Sequence, residues 1–141
     1  MSIQNNQALL VREVMLSLAN TPVISEKVIL KEALEEMSRS RIGIVCIIDE
    51  QAKLLGVLTD GDIRRKLLKV QKPFSAFFVD DALEHAIQSP TSIQPDDRLI
   101  DAIQLMGEKQ IWDLPVTDSK GALQGLLHLH PAIQALMGME A

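Results

Sequence analysis

The feature that most constrains the fold is an internal repeat. At an offset of 69 residues, which places Met37 on Met106, the chain aligns with itself in two halves without a gap. The other matched pairs are Ile24 and Ile93, Leu30 and Leu99, Ala33 and Ala102, Ile42 and Ile111, Asp49 and Asp118, Leu54 and Leu123, Gly56 and Gly125, and Leu58 and Leu127. These are apolar and turn positions, so both halves are predicted to build the same supersecondary unit.

Within each half the periodicity predicts a β-α-β-β-α unit. A short extended piece, at 22–24 and 91–93, precedes an amphipathic helix with one apolar face. Residues 43–48 are mostly β-branched and predict a strand buried on both faces. The counterpart strand contains Asp113 and Pro115, which predicts an edge position or a bulge. We therefore expect an α/β (α+β) fold in which two β-α-β-β-α repeats pack as one pseudo-twofold module.

Two segments lie outside the repeat. Residues 8–18 have apolar side chains at helical spacing and predict a helix. The segment between the halves holds Phe74, Phe77 and Phe78 and ends in a short stretch, 81–88, that is predicted to be helical. So much apolar area predicts a linker that packs down. The expected divisions are an N-terminal helix and lead-in at 1–22, repeat 1 at 23–70, an inter-repeat linker at 71–91 and repeat 2 at 92–141.

Composition excludes several classes of function. The net charge is −5, and no stripe of basic residues interleaved with aromatics is present, which argues against a nucleic-acid partner. Cys46 is the one cysteine, so no intrachain disulfide forms, and its apolar neighbours predict a buried, unreactive thiol. No apolar run approaches the roughly 18 residues that span a bilayer, and the N-terminus lacks a signal-peptide profile. We expect a cytoplasmic protein that does not enter a membrane.

The turn at residues 59–62 follows a predicted strand and opens a predicted helix. In one interpretation it is a capping box, in which Thr59 accepts from a first-turn amide and Asp62 reaches back to the Thr59 amide. In the other it is a polyol and phosphate site, where Gly61 clears the approach and Asp62 accepts from two adjacent hydroxyls. Arg64 and Arg65 oppose the helix dipole in the first turn, which favours either a nearby anion or two solvated side chains.

Other candidate residues carry weaker signals. His128 and His130 point to one side if their strand continues, but no further ligand joins them, so a phosphate contact or a surface role is favoured over metal. Asp113 is either an edge residue facing water or a cleft residue. His85 is a lone histidine on a presumed surface helix. No activated nucleophile or paired base is apparent, so we predict no catalytic residue and no metal site.

The chain resembles a tandem pair of CBS motifs, the regulatory repeat named after cystathionine β-synthase. The resemblance rests on V-R-E-V-M at 11–15, L-K-E-A-L-E-E-M at 30–37 and G-V-L-T-D-G-D at 56–62. More narrowly, T-D-G-D-I-R-R at 59–65 with G-L-L-H-L-H at 125–130 resembles the C-terminal half of arabinose-5-phosphate isomerases. That resemblance implies an N-terminal catalytic domain in the parent protein. Sugar-nucleotide pyrophosphorylases carry pairs with a similar first motif, so they remain an alternative origin.

The CBS resemblance also implies a site. The family pattern puts Thr59 near phosphate or ribose and Asp62 on the ribose hydroxyls, with Ile24 and Val45 as walls for a base. In the second half His128 and Pro131 replace Thr59 and Asp62, which implies one site per chain.

The expected function is regulatory ligand sensing, without a required cofactor. The possible ligands are an adenine or cytidine nucleotide or a nucleotide sugar. Alternatives are an oligomerisation module with an empty cleft, and the tail of an isomerase that lacks its active site. A homodimer is expected because apolar residues crowd the C-terminal helix region. They are Leu126, Leu127, Leu136, Met137 and Met139.

Overall fold

The computed structural model describes residues 8–69 and 71–138, which divide into two compact units. One unit comprises the described residues of 22–90, and the other joins 8–21 to 91–138. Each unit contains one of the two repeats, and each mixes helices with strands, which confirms the predicted fold class. In the described ranges, every helix is too short or too polar to cross a membrane.

The elements follow the repeated order that the sequence predicts. The strands are β1 (Leu16–Ser17), β2 (Val23–Ser25), β3 (Ile44–Ile48), β4 (Leu54–Thr59), β5 (Ile87–Gln88), β6 (Asp113–Thr117) and β7 (Leu123–His128). The α-helices are α1 (Leu30–Ser40), α2 (Asp60–Lys69), α3 (Phe74–Phe78), α4 (Leu99–Lys109) and α5 (Leu129–Leu136). Short 3₁₀ turns occupy Val11–Glu13, Leu18–Asn20 and Ala82–His85.

The two sheets have matching registers. The first unit orders its strands β2-β3-β4-β5, with β2 parallel to β3 and the other pairs antiparallel. The second unit orders them β1-β7-β6, and a parallel bridge between Ile93 and Val116 takes the place of β2. Val45 faces Leu58 across the first hairpin, as Leu114 faces Leu127 across the second.

The two cores are built from equivalent residues. The first core consists of Ile24, Leu30, Ala33, Met37, Val45, Ile47, Leu58, Ile63, Phe77 and Ala82. The second consists of Val11, Leu99, Ala102, Met106, Leu114, Val116, Leu127 and Ala132. The predicted apolar faces of α1 and α4 are therefore confirmed as core faces. Cys46 is buried, as predicted.

The predicted helix over residues 8–18 is wrong. This segment forms a 3₁₀ turn and then β1, which pairs antiparallel with β7. Its backbone donors serve neighbours far along the chain, since the Val11 amide donates to Asp97 and the Arg12 amide to Pro95, each at 2.9 Å. An isolated helix would have left those carbonyls without partners, so tertiary pairing overrides the local periodicity.

The predicted helical stretch at 81–88 is also wrong beyond one 3₁₀ turn. Its end forms β5, which pairs antiparallel with β4. His85 is consequently buried instead of lying on a surface helix, with its ring 4.6 Å from that of Phe77. Phe77 is itself buried in the first core, so the inter-repeat segment packs down as expected. Each repeat thus has its sheet completed by a segment that lies directly before the other repeat in sequence.

Pro115 lies in β6, at the edge of the named strands of its sheet, and a bulge follows between Val116 and Thr117. The sequence predicts one or the other, and the structure has both. The same bulge occurs in the first repeat, between Ile47 and Ile48, where no proline is present. The bulge therefore belongs to the repeated hairpin and is not a consequence of the proline.

Asp80 fastens the inter-repeat segment to the first repeat. Its carbonyl accepts from the Leu30 amide at 2.8 Å, and its carboxylate Oδ2 accepts from Lys72 Nζ at 2.6 Å. The same oxygen lies 2.9 Å from Nε2 of the buried His85. The hydrogen bonds from Lys72 and then His85 hold the pKa of Asp80 below its ordinary value of 3.8, although desolvation opposes the shift.

Replacing Asp80 by asparagine should reduce the loss of stability that occurs as the pH falls. A carboxyl group whose pKa is lowered in the folded state stabilises the protein above its unfolded pKa, and that contribution is lost as the pH falls through the folded pKa. Urea unfolding measures the free energy of unfolding at about pH 7 and at about pH 3.5. Its decrease between the two pH values should be larger for wild type than for Asp80→Asn. The exposed neighbour Asp81 supplies the control, because Asp81→Asn should show the same decrease in the free energy of unfolding as wild type. An equal decrease for wild type and Asp80→Asn would contradict this prediction.

Candidate functional site

The turn between β4 and α2 has the geometry of a reciprocal cap. The Thr59 hydroxyl accepts from the Asp62 amide at 3.1 Å and donates to Asp62 Oδ2 at 2.7 Å. The Thr59 amide completes the box with a longer contact of 3.4 Å to the same oxygen. The predicted capping box is therefore present. It also fixes a carboxylate and a hydroxyl side by side at the beginning of a helix, where the dipole favours an anion.

The second oxygen of the Asp62 carboxylate is paired with Arg65. Arg65 Nη2 donates to Asp62 Oδ1 at 2.6 Å, and the Asp62 side chain is 15% exposed against 59% for Arg65. A Cβ added at Gly61 would lie 3.3 Å from Arg65 Nη1, so the guanidinium lies against the glycine. Arg64 is exposed. The structure thus brings Thr59, Gly61, Asp62 and Arg65 together.

The entry to this turn uses Gly43, which is predicted to lie in a strand but directly precedes β3 in the structure. The Asp60 amide donates to the Gly43 carbonyl at 3.1 Å, which links α2 to the beginning of the β3 hairpin. A Cβ at position 43 would lie 2.9 Å from Asp60 Oδ2, so the Asp60 carboxylate packs where a side chain would stand. The pattern of a glycine before a strand was visible, but its partner depends on the β3–β4 register.

The two residues proposed as walls for a base are placed differently. Val45 is fully buried in the first core, where it faces Leu58, and its side chain offers no exposed wall. Ile24 is nearly buried but borders a groove of about 360 Å³ beside α1. The groove is lined by Val23, Ile24, Ser25, Val28, Glu32, Glu35, Glu36 and Arg39. Three of its four charged residues are glutamates, and Glu36 is ion-paired to Arg39, so the groove does not favour a phosphate.

The second repeat has a different pair at the equivalent place. His128 ends β7 and faces Asp113 of β6, as Thr59 faces Ile44 in the first repeat. His128 Nδ1 lies 2.7 Å from Asp113 Oδ1, and the aspartate side chain is only 13% exposed. Asp113 therefore neither faces water as an edge residue nor stands alone. Neither residue alone indicates this pair. The repeat offset could have indicated it, because Asp113 and His128 are equivalent to Ile44 and Thr59, which face each other across the first hairpin.

His130 does not share a strand with His128. The strand ends at His128, and α5 begins at the next residue, so His130 is an exposed residue of the first helical turn. The condition for an i, i+2 pair, a strand that continues, is not met. Pro131 follows within the helix, where a proline is compatible with the first turn. The second turn therefore has neither the Thr59 hydroxyl nor the Asp62 carboxylate.

Acidic residues and a histidine also meet in the inter-repeat segment, where ligand atoms of Asp80, Glu84 and His85 lie within 4.8 Å of one another. Lys72 Nζ is already 2.6 Å from the same Asp80 oxygen that His85 contacts. An ammonium group thus occupies the place next to the carboxylate that a cation would take. We interpret this group as the structural fastening described above.

Three features together define a pair of CBS domains. They are the repeat, the strands β1 and β5 that complete the two sheets, and the capped T-D-G-D turn. The family model for the CBS domain matches residues 11–69 and 79–136. The chain belongs to the CBS domain family, and it contains two CBS domains.

The chain is similar in sequence to parts of longer bacterial proteins. It is 34% identical over 107 residues to arabinose 5-phosphate isomerase GutQ of Salmonella typhi, a match that covers 74% of this chain and 31% of that protein. It is 32% identical over 129 residues to an uncharacterized protein of Helicobacter pylori (strain J99), a match that covers 90% of this chain and 37% of that protein. The chain spans about a third of the length of these relatives.

Solved structures share the fold over most of the chain. The crystal structure of CBSX2 in complex with AMP has 26% sequence identity and a TM-score of 0.80, covering 92% of this chain and 96% of that one. A CBS domain-containing protein from Bacillus anthracis has a TM-score of 0.84 at 16% identity, covering 97% and 99% of the two chains. The second likeness bears on the fold alone.

Proposed function

We propose that this CBS pair is a regulatory, ligand-sensing module that binds an adenine nucleotide at the turn between β4 and α2. The bound groups are a ribose diol, on the Asp62 carboxylate, and a phosphate, near the Thr59 hydroxyl and the first turn of α2. Cytidine nucleotides and nucleotide sugars carry the same groups and are the competing ligands. The second repeat lacks this turn, so each chain binds one ligand.

The observation that carries this proposal is the position of the Asp62 carboxylate, held 2.7 Å from the Thr59 hydroxyl at a helix start. A carboxylate can accept from two adjacent hydroxyls, and the amides and dipole of a helix start favour a phosphate. The likeness to CBSX2, which was solved with AMP, supports an adenine nucleotide as the ligand. Gly61 in the same turn carries no side chain, and the space over it is occupied by the Arg65 guanidinium.

A thermal-shift panel tests the proposal directly. Wild type is melted with AMP, ATP, a cytidine nucleotide, a nucleotide sugar and arabinose 5-phosphate. A ligand at about a hundred times its Kd stabilises the folded chain by roughly 2.7 kcal/mol, which raises the melting temperature by several degrees. We expect AMP or ATP to give this shift. A panel in which no compound shifts the chain would favour the alternative of a ligand-free oligomerisation module.

We also propose that the chain is the regulatory C-terminal part of a sugar-phosphate isomerase. The support is its 34% identity to a segment that makes up 31% of an arabinose 5-phosphate isomerase. The chain alone should then give no aldose–ketose isomerisation above background, whereas the full-length protein should be active and its rate should respond to the nucleotide. A pair from a sugar-nucleotide pyrophosphorylase would instead be found beside nucleotidyl-transfer activity.

The proposed module is a homodimer. The support is apolar surface on the second unit, where the side chains of Trp112, Ile133 and Met137 are exposed. Leu126 and Leu127 do not contribute to such a face, because they are fully buried in β7. Met139 lies outside the described residues.

Light scattering at tens of micromolar should therefore return twice the 15.6 kDa mass of one chain. The apolar side chains would otherwise remain in water at a cost proportional to their area. A mass equal to one chain at that concentration would contradict the dimer without touching the ligand site.

A further inference from the structure

The Arg65 guanidinium lies across the mouth of the turn that is proposed to bind the ligand. Its Nη2 is 2.6 Å from Asp62 Oδ1, the oxygen that Thr59 does not use. A Cβ at Gly61 would meet Nη1 at 3.3 Å and Nη2 at 3.5 Å, so the side chain folds back along α2 toward its first residues. One carboxylate oxygen is thus held by the cap, and the other is held by a cation.

This cation is in an unfavourable place, and its present partner holds it weakly. A positive charge near a helix N-terminus is opposed by the dipole, and the Asp62 carboxylate offsets that repulsion. The Asp62 side chain is only 15% exposed, but the Arg65 side chain is 59% exposed, and an ion pair three residues apart on a helix contributes little to stability where water reaches the cation. Water and salt compete with it, so the guanidinium can leave the carboxylate at small cost. The cap, in contrast, does not depend on Arg65, because it uses the other carboxylate oxygen, Asp62 Oδ2.

We infer that Arg65 selects a phosphorylated ligand at this turn, an inference that rests on the proposed function. The ribose diol takes the Asp62 Oδ1 that the guanidinium vacates, and the guanidinium turns to the ligand phosphate. Both charges remain paired through this exchange, and a guanidinium can bind a phosphate through two parallel hydrogen bonds. A nucleoside without phosphate must displace Arg65 and offers it nothing in return. Discrimination between nucleotide and nucleoside therefore depends on Arg65.

The neighbouring Arg64 provides a matched control. It is also exposed, carries the same charge and lies in the same turn of α2, but the carboxylate of Asp62 is bonded to Arg65. If the phosphate responded only to the general positive charge of the helix, the two arginines would be interchangeable. If it needs the guanidinium that lies over Gly61, only Arg65 matters.

The test is calorimetric titration of AMP and of adenosine into wild type, Arg65→Gln, Arg65→Lys and Arg64→Gln. Wild type should bind AMP at least about tenfold more tightly than adenosine. Arg65→Gln should weaken AMP binding by about ten- to a hundredfold and leave adenosine binding unchanged or tighter, since Asp62 is released. Arg65→Lys should fall between, because it keeps the charge without the paired hydrogen bonds. Arg64→Gln should bind both compounds as wild type does.

Two results would overturn the inference while leaving the proposed function intact. In one, Arg65→Gln weakens AMP and adenosine by the same factor, which would make Arg65 only a support for Asp62. In the other, Arg64→Gln reproduces the loss seen for Arg65→Gln. Wild type that binds neither compound would contradict the proposed function, and the inference would fall with it. Melting each variant without ligand checks that it is folded.

Discussion

Gly125→Ala is expected to destabilise the protein by about 3 kcal/mol. A Cβ at this position would lie 2.2 Å from the Leu16 carbonyl oxygen and 3.2 Å from the Met15 sulfur. The carbonyl belongs to β1, whose Ser17 is paired with Gly125 in the ladder. A backbone oxygen cannot rotate away as a side chain can, so β1 must leave its place beside β7.

Thermal melting measures this loss, and the expected decrease is about 10 °C for a chain of this size. Gly107→Ala is the matched control, because a Cβ at that position of α4 meets nothing within 4 Å and alanine favours a helix. The equivalent change in the first repeat, Gly56→Ala, should cost less, since its Cβ would lie 2.9 Å from the Ile87 carbonyl of β5. If Gly125→Ala had the same melting temperature as wild type, β1 would not lie beside β7.

Asp62→Ala is expected to abolish the stabilisation by AMP. The substitution removes the carboxylate that is proposed to bind the ribose diol, and hydrogen bonds to a charged acceptor are among the strong ones. It also removes half of the cap at the start of α2, which costs about 0.5–2 kcal/mol without any ligand. The two effects are separated by comparing each protein with and without AMP, so that only the ligand-induced shift is scored.

Pro131→Ala is the control for this experiment, because it changes the equivalent position of the second repeat. Its ligand-induced shift should equal that of wild type. A full shift in Asp62→Ala would mean that the turn between β4 and α2 is only a capping box. A shift lost in Pro131→Ala instead would move the site to the second repeat.

The repeat was predictable because its two copies share one offset over helix, turn and strand. The structure of the segments at 8–18 and 81–88, which complete the two sheets, was not predictable in this way, because the offset between these two segments differs from that of the repeat. Leu10 bridges Arg98 and Asp81 bridges Ile29, so Leu10 and Asp81 are equivalent at 71 positions apart, two more than for the repeat. An ungapped comparison hides that relation. The strands that these segments form also pair with partners far along the chain, which helical periodicity in the segments themselves does not reveal.

The candidate site divides in the same way. The bonds between Thr59 and Asp62 were predictable because the two residues are three positions apart and the T-x-x-D pattern is a known cap. The pairing of Arg65 with Asp62 is equally local, but it depends on a side-chain conformation that the sequence does not specify. The contact between His128 and Asp113 required the β6–β7 register, and the burial of His85 required β5. Local chemistry was therefore visible in the sequence, and contacts across strands were not.

The most direct measurement is the number of AMP molecules that each chain binds, determined by calorimetric titration of wild type and Asp62→Ala. A site at the turn between β4 and α2, and no other, predicts one AMP per wild-type chain and none for Asp62→Ala. Two AMP molecules per chain, or one that Asp62→Ala retains, would contradict the assignment of the site to this turn.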